Sequence, residues 1–331
     1  MHCFLAILVL FVSFLAIQCD ILTAVENEKR LNECGKNAIS KVFSGRPSQQ
    51  SEAPWSVFIK NGRPQATVCS GTVISSRHIL TATHCFADLH PDGWSTIINR
   101  GARDCGQSAT HHILNDTKLM EGITIDSDGQ QIAYSPERVT LFRACELKTP
   151  VADQSIQQLY EDVAIIDLYE DLEFSTTLRM ACTSVASSDH ADGTSLDYFG
   201  FGIDPPKVDP PGAGARPPDT SGVLRHEAIQ ILTKRLIVPL PDYYFLARDP
   251  TSKTVACSGD SGGGAVRRID GKTTVVGVLS QTSCASGERS GAKTMEMYAA
   301  VAYYRSEICK VSGVCEETEH AQFHKNYQRK P

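Results

Sequence analysis

Apolar residues along this chain fall mainly in short runs of four to eight positions, separated by polar or glycine-containing segments. Such runs are typical of β-strands, whereas few stretches show the 3.6-residue apolar period of an amphipathic helix. The clearest runs are Trp55–Ile59, Thr67–Ile74, His78–Ala82, Val163–Ile166, Ile229–Leu232 and Thr274–Leu279. We therefore predict an all-β barrel or sandwich with little helix beyond a short piece at Ala299–Ile308.

The N-terminus departs from this pattern. The segment from Phe4 to Ile17 is apolar except for Ser13 and is followed by the polar sequence ENEKR at Glu26–Arg30. A membrane-spanning helix needs about 20 apolar residues, so this shorter run favours a signal peptide over residues 1–19, with a buried N-terminal helix as the alternative. No later segment is predicted to span a membrane.

Two further segments are predicted to lie outside the core. Residues 203–219 (IDPPKVDPPGAGARPPD) are too rich in proline and glycine for a central strand and are predicted to form an exposed loop or linker. Residues 311–331 are predicted to form a polar C-terminal tail that is mobile from Glu316 onwards.

Composition narrows the possible functions. The 331 residues carry a net charge of −6, which offers no basic surface for nucleic acid or an anionic membrane. Ten of the twelve cysteines remain after the signal peptide, and an even number in a secreted protein suggests five disulfides. Zinc is the competing use, but no C-x2-C pair exists, so we expect no metal. Asn115 begins a glycosylation sequon, Asn-Asp-Thr.

Three segments carry candidate chemistry. The sequence VACSGDSGGG at 255–264 surrounds Ser261 with glycines, which would let backbone amides converge on one point and leave room for a substrate carbonyl. His84 ends an apolar run beside Cys85, and Asp162 begins another. Taken singly, these could be a glycine-rich turn, a satisfied polar histidine and a turn aspartate. Together they offer a nucleophile, a base and a carboxylate to orient the base.

In the order His84, Asp162, Ser261, the chain resembles the chymotrypsin/trypsin family of serine endopeptidases, and its long divergent insertions resemble the secreted trypsin-like proteins of nematodes. The resemblance rests on TATHC, DVAIIDL and CSGDSGGG and spans Val42 to about Ile308. It implies two antiparallel six-stranded β-barrels with a short C-terminal helix over residues 42–310. It also implies an oxyanion hole from the amides of Gly259 and Ser261, and support of the histidine by Ser280.

The resemblance further implies a zymogen. Residues 20–41 would be a propeptide, and cleavage between Lys41 and Val42 would free an amine that pairs with Asp260. The sequence VFSG at Val42 departs from the family's usual opening.

The resemblance also assigns cysteine pairs. It implies Cys69–Cys85, Cys257–Cys284 and Cys34–Cys182, the last tethering the propeptide. The pairs left once these are assigned are Cys105–Cys145 and Cys309–Cys315.

By the same resemblance, the substrate side-chain pocket is formed by Val255, Ser280, Thr282 and Gly291. Because Val255 stands where a carboxylate would bind lysine or arginine, we expect small or medium apolar residues before the cleaved bond.

Two alternatives compete with this hypothesis. The sequence Gly259-Asp-Ser-Gly-Gly263 also fits the nucleophile elbow of α/β-hydrolases, but only His320 and His324, both in the polar tail, follow Ser261. A catalytically weak homologue that acts as an extracellular binding or regulatory module is the second alternative. The main hypothesis predicts a secreted monomer without a cofactor, whose partners are a protein or peptide substrate, an activating protease and a protein inhibitor.

Overall fold

The computed structural model describes residues 21–36, 48–61, 67–90, 93–96, 111–115, 120–121, 123–127, 130–144, 161–204, 221–232, 240–286, 291 and 293–316. Within these ranges the chain forms two α-helices and seventeen β-strands. The predicted all-β class is therefore confirmed. None of the described helices has the length and apolar character needed to cross a membrane.

Ten strands form the N-terminal half: β1 (Ser56–Asn61), β2 (Thr67–Val73), β3 (His78–Thr81), β4 (Ala87–His90), β5 (Gly93–Thr96), β6 (His112–Leu114), β7 (Ile123–Ser127), β8 (Gln130–Tyr134), β9 (Pro136–Leu141) and β10 (Ala164–Leu168). Eight of them build one antiparallel sheet in the order β6, β9, β10, β3, β2, β1, β7, β8, which we call the first sheet. Strands β4 and β5 pair with each other separately.

Seven strands form the C-terminal half: β11 (Cys182–Thr183), β12 (Ser195–Gly200), β13 (Arg225–Ile231), β14 (Tyr244–Arg248), β15 (Gly264–Ile269), β16 (Lys272–Thr282) and β17 (Glu296–Ala300). The order is β11, β16, β15, β12, β13, β14, β17, and β17 also pairs with β16. This second pairing closes six antiparallel strands into a barrel, which we call the second barrel. A half-barrel sheet beside a closed six-stranded barrel matches the chymotrypsin-like architecture that the sequence predicts.

Aromatic side chains pack the two halves together. Trp55, which is fully buried, meets Phe199 of β12 edge-to-face with ring centroids 5.7 Å apart. The ring centroid of Phe58 of β1 lies 5.6 Å from that of Phe201, with the two ring planes tilted by 42°. Burying such rings at a junction removes large apolar areas from water, and the apolar cluster that contains them extends into both halves. The interior of the second barrel forms a second cluster.

The predicted C-terminal helix is confirmed but begins later than the sequence indicates. A 3-10 turn at Val301–Tyr304 leads into an α-helix at Arg305–Ser312, which ends at Gly313 in the left-handed conformation. Residue Ala299 instead belongs to β17, where it pairs with Tyr244. Sheet pairing therefore outweighs the helical preference of the first alanines.

The other helix, Ala24–Glu33, lies in the segment that the sequence assigns to a propeptide. Its start is fixed by a capping box, in which Thr23 and Glu26 exchange hydrogen bonds. The helix packs against the segment that follows the C-terminal helix, because Asn27 and Arg30 both donate to the carbonyl of Cys315. This segment is thus part of the folded body of the protein.

Four disulfides join described cysteines: Cys34–Cys182, Cys69–Cys85, Cys257–Cys284 and Cys309–Cys315. These are the pairings expected from the sequence. The remaining expected pair, Cys105–Cys145, lies outside the described residues, as do the signal peptide (1–19), the Lys41–Val42 bond, most of the Pro-rich segment and residues 317–331.

Candidate active site

The histidine and the aspartate come together because their strands are neighbours. Strand β3 pairs antiparallel with β10 so that Thr81, the last residue of β3, lies opposite Ala164, the first residue of β10. The residues after β3 and those before β10 therefore lie at the same end of the sheet. His84 follows β3 in a 3-10 turn, while Asp162 precedes β10. His84 Nδ1 lies 2.7 Å from Asp162 Oδ2, and the His84 amide donates to Asp162 Oδ1 at 3.0 Å.

Asp162 is almost fully buried and receives a third hydrogen bond, from Ser280 Oγ at 2.6 Å. Burial favours the neutral acid, but the charge of His84 and these hydrogen bonds outweigh it and lower the pKa of Asp162. Burial acts to lower the pKa of His84, and the Asp162 carboxylate reverses this and raises it. The pair therefore stabilises an imidazolium while Asp162 stays ionised.

The loop around Ser261 is anchored to the first sheet by Ser70 of β2. The Ser70 amide donates to the carbonyl of Ser261 at 2.7 Å, and its hydroxyl donates to the carbonyl of Gly259 at 2.9 Å. The next residue, Gly262, has φ +83°, and a β-carbon there would lie 2.1 Å from Thr81 Oγ1. Only glycine fits this approach, which explains one of the glycines in the sequence motif.

The nucleophile loop and the histidine meet at the Cys69–Cys85 disulfide. Cys85 Sγ lies 3.9 Å from the carbonyl oxygen of Ser261, and Cys85 directly follows His84. Within the described part of the chain no hydrogen bond joins the Ser261 hydroxyl to the His84 ring. Such bonds are often long without substrate and tighten in the complex.

Two backbone amides at this site have no acceptor among the described residues. Neither the amide of Gly259 nor that of Ser261 donates a hydrogen bond to any group in the described ranges. Gly259 has φ +96°, a conformation that glycine adopts without strain. Two unpaired amides flanking one residue, beside a serine hydroxyl, can donate to a negatively charged oxygen.

Asp260, between these amides, is buried in the protein. Its carboxylate accepts hydrogen bonds from the amides of Gly202 and Cys257, each at 2.8 Å. Burial raises the pKa of Asp260 to about 7 despite these two bonds. A buried carboxyl group of this kind favours a cation nearby, and Lys41 and Val42, the predicted source of one, lie outside the described residues.

The predicted pocket residues take different positions. Val255 is half-buried, while the hydroxyl of Ser280 donates its hydrogen bond to Asp162. Thr282 turns its hydroxyl to the carbonyl of Ala256 at 2.5 Å. Gly291 is exposed, its amide donates to the carbonyl of Ser252, and a β-carbon there would meet no atom within 4 Å. Sequence reasoning missed Glu296, which lies directly opposite Thr282 in the β16–β17 pairing.

A second Ser-His-Asp cluster is fully buried in the first sheet. His78 contacts Ser75 Oγ at 2.6 Å through Nδ1 and Asp167 at 3.1 Å through Nε2, and its side chain is 0% exposed. No substrate can reach this ring, so we assign it a structural role. Exposure separates the two clusters, because the His84 side chain is 29% exposed.

Two smaller predictions also concern surface chemistry. Asn115, which directly follows β6, is exposed. Cys69 and Cys85 lie beside His84, but their sulfur atoms are joined in a disulfide and offer no thiolate to a metal.

Comparison with known proteins gives three similarities. The profile of the nematode trypsin-6-like family matches residues 3–315. The chain is similar to CLIP domain-containing serine protease B4 of Anopheles gambiae, with 25% identity over 262 residues, 75% of this chain and 64% of that protein. It is also similar to Melanization protease 1 of Drosophila melanogaster, with 22% identity over 160 residues, 47% of this chain and 37% of that protein. The chain therefore spans less than two thirds of either relative.

Proposed function

This chain belongs to the nematode trypsin-6-like family, and from that premise we propose that it is a secreted serine endopeptidase zymogen that hydrolyses peptide bonds through an acyl-enzyme. The observation that carries the proposal is the contact of His84 with a buried, ionised Asp162 beside a serine flanked by two unpaired amides. A serine hydroxyl becomes nucleophilic only with a base to take its proton and donors for the developing oxyanion.

In the proposed reaction, Ser261 Oγ attacks the substrate carbonyl carbon while His84 Nε2 takes the hydroxyl proton. Asp162 holds the other ring nitrogen and stabilises the imidazolium. The carbonyl oxygen becomes an oxyanion held by the amides of Gly259 and Ser261. Collapse expels the amine, which receives the proton from His84, and leaves an ester on Ser261. Water then attacks this ester by the same steps and restores the enzyme.

Activation is proposed to follow cleavage of the Lys41–Val42 bond. The new amine of Val42 would enter the protein as a cation and pair with Asp260. The pKa of Asp260, raised by burial to about 7, supports this role, because an ammonium group beside it would favour the carboxylate and make the pair mutually stabilising. The Cys34–Cys182 disulfide would keep the propeptide attached after the cut.

For specificity we propose a preference for small or medium apolar residues before the cleaved bond, since Val255 supplies no charge. We also propose that the protein acts outside the cell as a monomer on protein or peptide substrates. An activating protease and a protein inhibitor would be its other partners, and Asn115 would carry a glycan.

Labelling with a serine-directed fluorophosphonate tests the proposal. Trypsin-treated protein with a Val42 N-terminus should be labelled at Ser261, untreated protein much less, and Ser261→Ala not at all. Hydrolysis by Ser261→Ala should fall to the small residual rate that binding and the oxyanion hole alone provide. Absence of labelling after verified cleavage would instead favour a non-catalytic binding module.

A further inference from the structure

The short segment that carries Asp162 is held on both sides by the two residues that follow β9. The amide of Phe142 donates to the carbonyl of Val163, the residue after Asp162, at 2.9 Å. Glu161, the residue before Asp162, is 3% exposed and forms an ion pair with Arg143, whose Nη1 lies 3.4 Å from Glu161 Oε1. The chain is therefore fixed immediately before and immediately after the carboxylate that contacts the His84 ring.

The Arg143 side chain joins this segment to the C-terminal helix (Arg305–Ser312). Its Nε donates to Oε1 of Glu307 in that helix at 3.1 Å, and its Nη2 donates to the same oxygen. Its Nη1, which faces Glu161, also donates to the hydroxyl of Tyr303 at 3.0 Å, and the guanidinium carbon lies 5.0 Å from the centre of the Tyr303 ring. A planar guanidinium with five donors can serve two carboxylates and a phenol at the same time in one fixed geometry. Arg143 thus links Glu161 to Glu307.

The backbone of Arg143 adopts a conformation that a side chain disfavours. Its φ is +45°, in the left-handed region that residues with a β-carbon rarely adopt. The turn is tied down by the Arg143 amide, which donates to His111 Nδ1 at 3.1 Å, and the centre of the His111 ring lies 5.1 Å from that of Phe142. Glycine would adopt this turn without strain, but it would supply no guanidinium. Strain of this kind persists where the surrounding contacts over-determine it, so the contacts of Arg143 with the two glutamates hold the turn.

The burial of Glu161 explains why its partner matters to Asp162. Removing one member of a buried ion pair leaves an uncompensated charge in a poorly hydrated place, which is strongly unfavourable. The chain can reduce this cost by moving Glu161 towards water. Because Glu161 and Asp162 are consecutive residues, such a movement would also displace the Asp162 carboxylate.

We propose that Arg143 is a positioning residue of the candidate active site, which holds Glu161 and thereby keeps the Asp162 carboxylate within hydrogen-bond distance of His84. This inference rests on the proposed endopeptidase function and adds to it a residue outside the Ser-His-Asp cluster. Since the same guanidinium binds Glu307, the C-terminal helix becomes part of the support of the active site. A displacement of about 1 Å in a catalytic group can lower the rate by about 100-fold, so this support has a measurable effect on turnover.

The kinetics of activated Arg143→Ala on one peptide substrate test this inference. We expect kcat to fall by at least about tenfold, but by less than the about 10⁴-fold expected when the Asp162 carboxylate is lost. KM should change by less than about twofold, because the positioning of Asp162 affects the transition state and not the binding of substrate. Arg143→Lys keeps a cation that reaches one glutamate at a time, so its kcat should exceed that of Arg143→Ala by at least about threefold.

A second substitution tests whether Arg143 acts through Glu161. Glu161→Ala removes the same link but leaves no uncompensated charge, because Arg143 keeps its contacts with Glu307. We expect kcat to fall by at least about tenfold here too. The double variant Arg143→Ala/Glu161→Ala should be no slower than the slower single variant, because both substitutions break one link. Losses that multiply in the double variant would overturn the inference.

The matched control is Arg138→Ala. Arg138 lies on β9 and its Nε donates at 2.5 Å to Asp167, a buried carboxylate of β10, towards the end of these strands that is remote from Asp162. This substitution should lower the free energy of unfolding but leave kcat within about twofold of the wild-type value. An equal loss of kcat in Arg138→Ala would indicate a general loosening of the first sheet and would overturn the inference. An unchanged kcat in Arg143→Ala, or a change in KM alone, would do the same.

The outcome remains decisive if Arg143→Ala does not fold, because Glu161→Ala then tests the same link and an unchanged kcat in that variant would overturn the inference. The result also separates this inference from the proposed function. Activated wild type that is labelled at Ser261, with an unchanged kcat in the Arg143 and Glu161 variants, would refute the positioning role alone. Wild type that stays unlabelled after verified cleavage would refute the proposed function.

Discussion

Replacing Asp162 with asparagine removes the charge on which the candidate site depends. Asp162 accepts three hydrogen bonds, two from His84 and one from Ser280. An asparagine side chain has one acceptor oxygen and cannot serve all three donors. The His84 ring is then free to place its proton on Nε2, where it can no longer accept the proton of Ser261.

The expected loss follows from these contacts. A hydrogen bond to a charged group contributes about 1.5–3 kcal/mol, and the wrong ring tautomer adds to its loss. We expect kcat/KM at the optimum to fall by about 10⁴-fold, or about 5.5 kcal/mol. Activity needs the neutral His84 ring, so in the wild type the raised pKa of His84 places the fall of activity towards acid above the usual histidine value of 6.5. In Asp162→Asn only burial still acts on the pKa of His84 and lowers it, so this fall of activity should move to lower pH.

The assay is kcat/KM of the activated enzymes on one peptide substrate between about pH 4 and about pH 9. Asp197→Asn provides the control, since it makes the same chemical change in a His-Asp pair with a 2.7 Å contact to His226, away from Ser261. The assignment of Asp162 as the partner of the His84 ring would be refuted if the fall of kcat/KM towards acid kept its position in Asp162→Asn, or if kcat/KM at the optimum fell by less than about tenfold.

Three other substitutions probe the nucleophile loop and the N-terminal segment. Burial raises the pKa of Asp260 to about 7, and an acid with a raised native pKa stabilises the fold least at high pH. The free energy of unfolding of the uncleaved chain should therefore fall by about 4 kcal/mol from about pH 4 to about pH 8 on account of this group, and chemical denaturation of Asp260→Asn should lack that fall. Gly262→Ala would place a β-carbon 2.5 Å from the backbone carbonyl of Ser70 in β2. Because this contact would displace the nucleophile loop, the substitution should slow fluorophosphonate labelling by at least about 100-fold. The control is Gly271→Ala, where φ is +77° but no atom lies within 4 Å of the added β-carbon, and labelling should be normal. In non-reducing electrophoresis after cleavage, the N-terminal peptide should remain on the wild type and leave the Cys34→Ser/Cys182→Ser variant; its loss from the wild type would contradict the tether.

The sequence predicts much of the fold because strand-forming runs are local features. The unbroken apolar run Val163–Ile166 leads into and supplies most of β10 (Ala164–Leu168), in which every residue is buried, as expected for a central strand. The N-terminal helix was also within reach of sequence analysis, since Thr23 and Glu26 have the spacing of a capping box. We missed it because the helix packs mainly through polar side chains such as Asn27 and Arg30, which leave no apolar period.

The position of Glu296 could not be predicted, for a different reason. In the sequence it resembles an ordinary polar residue on a strand, and 40 residues separate it from Ala256, whose amide donates to its carboxylate. This contact depends on the order and the register in which β16 and β17 pair.

Ser70 links the two halves of the molecule by hydrogen bonds. Its amide and hydroxyl donate to the carbonyls of Ser261 and Gly259, and its hydroxyl also accepts a bond from the amide of Phe201. Within the first sheet, its carbonyl accepts a bond from the hydroxyl of Thr81. A displacement of β2 would therefore move the carbonyls of Ser261 and Gly259 with it, even if the strands of the second barrel stayed paired. In rising denaturant, the proposed catalysis should consequently disappear no later than the unfolding that spectroscopy reports.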